Sequence, residues 1–146
     1  MDNNKNIEKN IAAAMSAAAI HTDGKAFYSA ITLAYLGDCV YELYVRTHLM
    51  SDGNHKVNDL HKAATKFVRA SAQAEFYHRI EGLLTEEEDA AFRRGRNAKS
   101  HPPKNANVLE YKIATGVEAL IGHLCIKGDF ERISQLMALL FEKDKQ

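Results

Sequence analysis

The amino-acid sequence predicts an all-α protein that folds as a bundle of helices. Apolar residues recur every three or four positions along most of the 146-residue chain, which is the spacing of one helix face. Clusters of turn-forming residues separate these stretches, and no stretch alternates apolar with polar residues as a half-buried strand does. The length suits one ordinary domain with a substantial core.

The chain opens with an extension, residues 1–25, which we expect to be partly helical. Residues 4–19 are rich in helix formers, and the turn-forming residues 21–24 end that pattern. Residues 26–146 are expected to form a single domain. Its first helix should cover residues 29–50, where apolar side chains recur at helical spacing.

The region after this helix predicts either two short helices or one kinked helix. Asn58 can cap a helix that reaches Val68, because its side-chain oxygen can accept from a free backbone N–H group. Ser71 can cap another helix that runs toward Leu83 in the same way. The pattern leaves both alternatives open.

A capping box marks the start of the next predicted helix. Thr85 and Glu88 are three residues apart, so each side chain can accept from the free backbone N–H of the other. The helix should then cover residues 86–97. Residues 98–107 are expected to form a basic loop, because the two consecutive prolines inside it are incompatible with a helix.

The last two predicted helices, residues 108–126 and 130–141, are rich in apolar side chains. No stretch of the chain approaches the length of about 20 apolar residues that is needed to cross a bilayer. Cys39 and Cys125 both lie in apolar stretches and form no C-x-x-C pair, so they are expected to be free thiols. These features predict a reduced, cytoplasmic protein without a membrane anchor.

Two acidic residues lie in predicted helices that are otherwise apolar. Asp38 follows Gly37, and Glu118 lies between Gly116 and Gly122. An ionised carboxylate in apolar surroundings costs several kcal/mol unless it is paired or bound to a cation. A glycine costs about 1 kcal/mol relative to alanine inside a helix, which is understandable where another backbone must come close.

We therefore predict that the two helices cross at their glycines and bring Asp38 and Glu118 together. The pair could then hold a hard cation such as Mg²⁺, which often takes only one or two protein carboxylates. The alternative is structural, because a lone acid on an apolar helix is more often part of a salt bridge. Arg46, Lys112 and His123 are the candidate partners.

Positive charge gathers in two places, although Lys plus Arg and Asp plus Glu each number 19. Lys62, Lys66, Arg69 and Gln73 would form a stripe if their helix is continuous. The second group surrounds the proline loop and comprises Arg93, Arg94, Arg96, Asn97, Lys99, Ser100, Lys104 and Asn105. Such groups bind phosphates without regard to base sequence, although many are simply solvated surfaces. No aromatic residues alternate with them, which favours an RNA duplex over a single strand.

Several of these segments resemble the ribonuclease III family. Residues 33–42, LAYLGDCVYE, are similar to its signature helix, and residues 117–122, VEALIG, are similar to its second catalytic helix. The loop sequence RGRNAKS at 94–100, with PKN at 103–105 and NDLHK at 58–62, resembles the mini-ribonuclease III subgroup, which lacks a separate double-stranded-RNA-binding domain.

The resemblance implies an all-α endonuclease domain that works as a homodimer and cuts both strands of duplex RNA. It further implies Mg²⁺, with Mn²⁺ as a substitute, products with 5′-phosphate and 3′-hydroxyl ends, and precursor 23S ribosomal RNA as the substrate. Asp38 and Glu118 become the catalytic metal ligands, with Tyr41, Glu42 and Asn97 as candidates for ordering water or phosphate. The RNA-binding residues would be Lys62, Lys66, Arg69, Arg94, Arg96, Asn97, Lys99, Ser100 and Lys104.

Ala34 and Thr115 stand where ribonuclease III has two further acids, so this sequence keeps only two of the four acids of that family's catalytic centre. This departure favours the main alternative, a non-catalytic RNA-binding or ribosome-associated domain of the same fold. A helical protein-interaction adapter is a further alternative, which the neutral net charge allows and the basic loop disfavours.

Overall fold

The computed structural model describes residues 3–17 and 27–142, and within them it confirms the predicted all-α fold, since no strand occurs there. The helices are α1 (Asn3–Ala17), α2 (Ala30–Leu49), α3 (Val57–Val68), α4 (Ala70–Ile80), a short 3-10 helix (Glu81–Leu83), α5 (Glu86–Asn97), α6 (Val108–Lys127) and α7 (Phe130–Glu142). None of the described helices is long and apolar enough to span a membrane.

Helix α6 lies at the centre of the bundle. It packs against α2, α4, α5 and α7, and eleven of its twenty residues are buried. A helix that is surrounded on most sides must be apolar nearly all round, which explains its unbroken hydrophobic pattern. Thr115 and Glu118, in the middle of α6, therefore lie close to other helices.

Helix α1 covers the predicted leading helix as far as residue 17, and it packs on the core through Ile11 and Met15. Its Glu8 accepts a hydrogen bond from Ser134 of α7 at 3.3 Å. The predicted end at residue 19, the break at residues 21–24 and the boundary between residues 25 and 26 lie outside the described residues.

Helices α3 and α4 are separate, and the two predicted caps are wrong. The chain breaks at Arg69, whose backbone is extended at φ −62° and ψ 153°. The capping positions are held by Lys56 and Arg69, neither of which makes a side-chain capping bond. Asn58 and Ser71 instead lie inside the first turns of α3 and α4.

Two side-chain hydrogen bonds, one of them from α2, hold this break in place. The Tyr41 hydroxyl on α2 donates to the carbonyl of Phe67 at 2.7 Å, and the Gln73 amide donates to the carbonyl of Val68 at 3.0 Å. Both carbonyls lie in the last turn of α3, where helical partners are missing. The break turns Gln73 into the interior, where it is only 3% exposed, so it is not part of a surface stripe.

The predicted capping box at the start of α5 is confirmed. Thr85 accepts from the backbone of Glu88 at 3.1 Å, and the Glu88 carboxylate accepts from the backbone of Thr85 at 2.9 Å. Glu88 also forms a buried ion pair with Arg132 of α7 at 2.8 Å. This single acidic residue therefore begins α5 and ties it to α7.

Candidate functional site

Helices α2 and α6 cross with their backbones in contact. A Cβ atom added to Gly37 would overlap the carbonyl group of Glu118, and one added to Gly122 would overlap the carbonyl group of Leu33. Only glycine permits such an approach. Because Gly37 meets Glu118 while Gly122 meets Leu33, the helices run antiparallel. The predicted crossing at glycines is confirmed.

A second close contact holds the end of α5 beside the same part of α6. A Cβ atom added to Gly95 would meet Ala119 and the backbone of residues 115 and 116, and one added to Gly116 would meet the ring of Phe92. Helix α5 ends two residues after Gly95, at Asn97. The basic loop therefore starts next to the residues that flank Glu118.

The helix crossing brings the side chains of Asp38 and Glu118 together. Asp38 is exposed and Glu118 is half-buried. Burial, together with the contact and negative charge of Asp38, raises the pKa of Glu118 to about 8, while the Gln73 amide acts in the opposite direction. The expectation that Asp38 itself lies in apolar surroundings is wrong, because this part of α2 faces solvent.

Salt bridges do not account for the acid pair. Arg46 pairs with Glu42 at 3.3 Å, and His123 pairs with Glu87 at 3.0 Å. Within residues 3–17 and 27–142, no Lys, Arg or His forms an ion pair with Asp38 or Glu118. Two carboxylates that share a site without a cation cannot easily ionise together. The predicted structural alternative therefore lacks its basic partner.

The centre offers two carboxylates and no larger ligand cluster. In the described part of the chain, no group of three or more His, Cys, Asp or Glu side chains is arranged to hold a metal ion. Ala34 is buried in the helix packing, and the Thr115 hydroxyl donates to the carbonyl of Tyr111 in its own helix at 3.0 Å. Neither residue adds a carboxylate to the pair.

Tyr41 and Glu42, two of the supporting residues proposed from the sequence, differ in burial. Glu42 follows Asp38 by one turn, and its negative charge contributes to the raised pKa of Glu118. Tyr41 is fully buried, and its hydroxyl proton is already donated to Phe67. Burial first, and then the charge of Glu118, raise the pKa of Tyr41, so it stays neutral.

Gln73 contacts the acid pair and was not identified as part of it from the sequence. Its amide donates to the carbonyl of Val68 at 3.0 Å, and it lies beside the Glu118 side chain, whose pKa it lowers. The continuous-helix interpretation placed Gln73 on the surface with Lys62 and Lys66. Only the two-helix alternative, with its break before residue 70, would have rotated Gln73 away from that stripe.

The basic residues are at the surface, in two groups. Lys62, Lys66 and Arg69 are exposed on α3 and the break that follows it. In the second group, Arg94, Asn97, Lys99 and Lys104 are exposed, while Arg96 and Ser100 are half-buried. Arg96 lies over the ring of Phe92 at 5.7 Å and donates to Asn97 at 3.2 Å, which orders the end of α5. Arg93 instead pairs with Asp89 at 3.2 Å.

Comparisons with known proteins agree on one family. Residues 31–129 match the family model of the ribonuclease III domain. Mini-ribonuclease 3 of Desulfitobacterium hafniense is 52% identical over 105 residues, which cover 72% of this chain and 67% of that protein. Mini-ribonuclease 3 of a Thermoanaerobacter species is 48% identical over 118 residues, covering 80% of this chain and 83% of that protein. A crystal structure of a Fusobacterium nucleatum protein is similar with a TM-score of 0.74 and 32% identity, covering 80% of this chain and 94% of that one.

Proposed function

Because the chain belongs to the ribonuclease III family, endoribonucleases that act on double-stranded RNA, we propose that it cleaves duplex RNA with a divalent cation held by Asp38 and Glu118. The proposed cation is Mg²⁺, with Mn²⁺ as a substitute. The observation that carries the proposal is the meeting of the two carboxylates where α2 and α6 cross at glycines. Membership of a family of nucleases speaks against the non-catalytic alternative.

The residues at the crossing fit a hard cation. Two carboxylates in contact, without a basic partner in the described ranges, gain most from a positive charge placed between them. Mg²⁺ takes few protein carboxylates and completes its shell with water and substrate phosphate. Asp38 is exposed and Glu118 half-buried, so an ion at this pair is accessible to a phosphate from solvent.

A divalent cation at such a pair supplies Lewis-acid activation of water and neutralises charge on the scissile phosphate. Asp38 and Glu118 hold it, and Glu118 must first release its proton, because only the ionised carboxylate binds a hard cation well. We propose that Glu42 and Asn97 order water or phosphate beside the pair. Tyr41 supports the site from the core, since its hydroxyl fixes the end of α3.

The two basic groups are proposed to bind the RNA backbone. The residues concerned are Lys62, Lys66, Arg69, Arg94, Arg96, Asn97, Lys99, Ser100 and Lys104. The second group begins beside Glu118, because Gly95 packs α5 against that part of α6. Phosphate contacts of this kind give affinity without base specificity, and they align the duplex with the acid pair.

We further propose that the active form is a homodimer formed through an apolar stripe beside Asp38. Phe27 is 91% exposed and Tyr35 is 85% exposed. Ile31, four residues from each of them in the sequence, is 42% exposed. A spacing of four residues puts Ile31 and Tyr35 on one face of α2. Exposed apolar side chains grouped in this way mark an interaction surface, and a second copy of the chain would cover it symmetrically.

Precursor 23S ribosomal RNA is the proposed substrate, and a cleavage experiment tests the whole proposal. A labelled duplex stem from that precursor is incubated with the protein in Mg²⁺, Mn²⁺ or EDTA, alongside an unrelated duplex of equal length. We expect discrete cuts in both strands that require the cation and leave 5′-phosphate ends. Equal cutting of both duplexes would remove the 23S preference alone.

Two variants separate the site from the fold. Asp38→Asn should abolish cleavage while the helix content is retained, because it removes one ligand charge from the pair. The matched control is Asp52→Asn, which changes an exposed acid in the turn after α2 and should cleave normally. Intact RNA under every condition, or full activity in Asp38→Asn, would refute the proposed centre.

A further inference from the structure

Gln73 of α4 is a buried amide in contact with the proposed metal ligand Glu118. It is 3% exposed, and it lies on a helix that otherwise buries apolar side chains such as Ala74, Phe76 and Ile80. Its amide lowers the pKa of Glu118 as a neighbouring donor, whereas Asp38 raises that pKa. Gln73 is therefore a neutral side chain placed beside this carboxylate.

The orientation of the Gln73 amide is fixed by its surroundings. A backbone carbonyl can only accept a hydrogen bond, so the side-chain atom that lies 3.0 Å from the carbonyl oxygen of Val68 must be the nitrogen. An amide nitrogen carries two hydrogens, and the second one is available to the Glu118 carboxylate. The amide thus donates one N–H to the end of α3 and has the other available for the acid pair.

The oxygen of the same amide shows that the N–H groups are what this position requires. Gln73 Oε1 is buried and has no hydrogen-bond partner among the described residues. Burying an acceptor without a partner is unfavourable, and an apolar side chain of similar length would avoid that cost. An unsatisfied acceptor in a tight core is the kind of local penalty that accompanies a functional site.

The second anchor of this amide is itself rigid. Val68 precedes the break between α3 and α4, and the neighbouring carbonyl of Phe67 accepts from the buried Tyr41 hydroxyl at 2.7 Å. The break is thus held from α2 and from α4 at once. A carboxylate in contact with an amide on such a support loses rotamer freedom, which is how outer residues orient a metal ligand.

We propose that Gln73 is a positioning residue, whose amide holds the Glu118 carboxylate in the orientation in which it receives a cation together with Asp38. This inference rests on the proposed function of the acid pair. It also gives Glu118 a fixed partner in a centre where Thr115 contributes no carboxylate. Gln73 does not touch the substrate, and its effect passes through Glu118.

The first test is the affinity of the RNA-free protein for Mn²⁺, measured by electron paramagnetic resonance. Gln73→Met keeps the length of the side chain and removes both N–H groups. We expect Mn²⁺ affinity to fall about tenfold, the usual size of such an effect, and the Mg²⁺ concentration that half-saturates cleavage to rise in parallel. The KM for RNA should not change, because Gln73 is buried away from the duplex.

Two control variants separate positioning from packing. Gln135→Met makes the same change at an exposed position on α7, and Ile80→Val trims the buried face of α4 about two turns away from Gln73. Ile80→Val should lower the melting temperature and leave Mn²⁺ affinity unchanged. If Gln73→Met binds Mn²⁺ as Gln135→Met does, the inference is overturned, whatever happens to its melting temperature.

A second measurement uses the unaltered protein, so it does not depend on the folding of a variant. In a ¹⁵N-labelled sample titrated with Mg²⁺, the side-chain amide signal of Gln73 should shift and saturate, while that of Gln135 stays in place. An unmoved Gln73 signal beside clear Mg²⁺ binding would overturn the inference alone. A wild-type protein that neither binds Mn²⁺ nor cleaves RNA would instead overturn the proposed function.

Discussion

Replacing Glu118 with glutamine should stabilise the metal-free protein at alkaline pH while it abolishes cleavage. The unfolded chain releases the proton of this carboxyl group near pH 4.5, whereas in the folded protein the pKa is about 8. Below pH 4.5 both states are protonated and the difference contributes nothing. Between those values the ionised unfolded state is increasingly favoured, so stability falls as pH rises, and above pH 8 the loss is complete.

The size of this effect follows from the two pKa values. At 1.36 kcal/mol for each pKa step, the interval from 4.5 to about 8 corresponds to about 5 kcal/mol. Solvent reaches the half-buried carboxylate and screens its charge, which reduces the expected gain to about 2–3 kcal/mol. Glutamine has nearly the shape of the protonated acid, so Glu118→Gln should recover most of that amount.

Urea unfolding in EDTA at about pH 5, 7 and 9 measures this prediction. The variant and the wild type should be nearly equal at the lowest pH and diverge toward the highest, and added Mg²⁺ should stabilise the wild type alone. Equal unfolding free energies at pH 9 would refute the argument that the acid pair is destabilising without a cation.

Glu88→Gln provides a control in which the dependence of stability on pH has the opposite sign. Burial by itself raises the pKa of Glu88, but hydrogen bonds from Arg132 and Thr85 outweigh it and hold the pKa below the ordinary value. Such a group stabilises the fold above its unfolded pKa, and the contribution is lost as pH falls through its folded pKa. Glu88→Gln should therefore destabilise the protein at pH 7, by about 1–3 kcal/mol, and progressively less in acid.

Three further changes test the helix crossing, the RNA surface and the dimer. Gly37→Ala should destabilise the protein by about 2–3 kcal/mol and impair cleavage, because the added methyl group overlaps the backbone of α6; Gly82→Ala, with open space around it, should do neither in urea unfolding and cleavage assays. Arg94→Ala with Arg96→Ala should weaken RNA binding and make its dependence on salt shallower by about one counterion per lost contact. Filter binding at several salt concentrations measures this. Lys127→Ala is the control, because Lys127 is the last residue of α6 and pairs with Glu87 in the first turn of α5, far from the loop, and it should keep the wild-type slope. An unchanged slope in the double variant would exclude the loop from the interface. Tyr35→Glu should dissociate the dimer in sedimentation experiments, whereas Leu83→Glu, at another exposed apolar position, should leave it intact; a dimeric Tyr35→Glu would rule out the α2 stripe as the interface.

The helices, the capping box and the acid pair were all predictable from the sequence. Helical periodicity is a property of a few consecutive turns, so the long patterns of α2 and α6 are visible without any knowledge of the fold. The box formed by Thr85 and Glu88 involves atoms three residues apart. Even the long-range meeting of Asp38 with Glu118 left a local sign, because close backbone contact requires glycine in both helices.

Other features depend on partners that are distant in the chain, and only the folded structure specifies them. The break before α4 is held by the Tyr41 hydroxyl, which reaches a carbonyl 26 residues away, so the local caps Asn58 and Ser71 mispredicted it. The exposure of Asp38 likewise depends on which side of α2 the other helices cover. The position of Gln73 beside Glu118, and not on a surface stripe, has the same cause. A single non-helical residue changes the direction of every side chain that follows it. A break that is held by a residue distant in the chain leaves no periodic pattern in the local sequence.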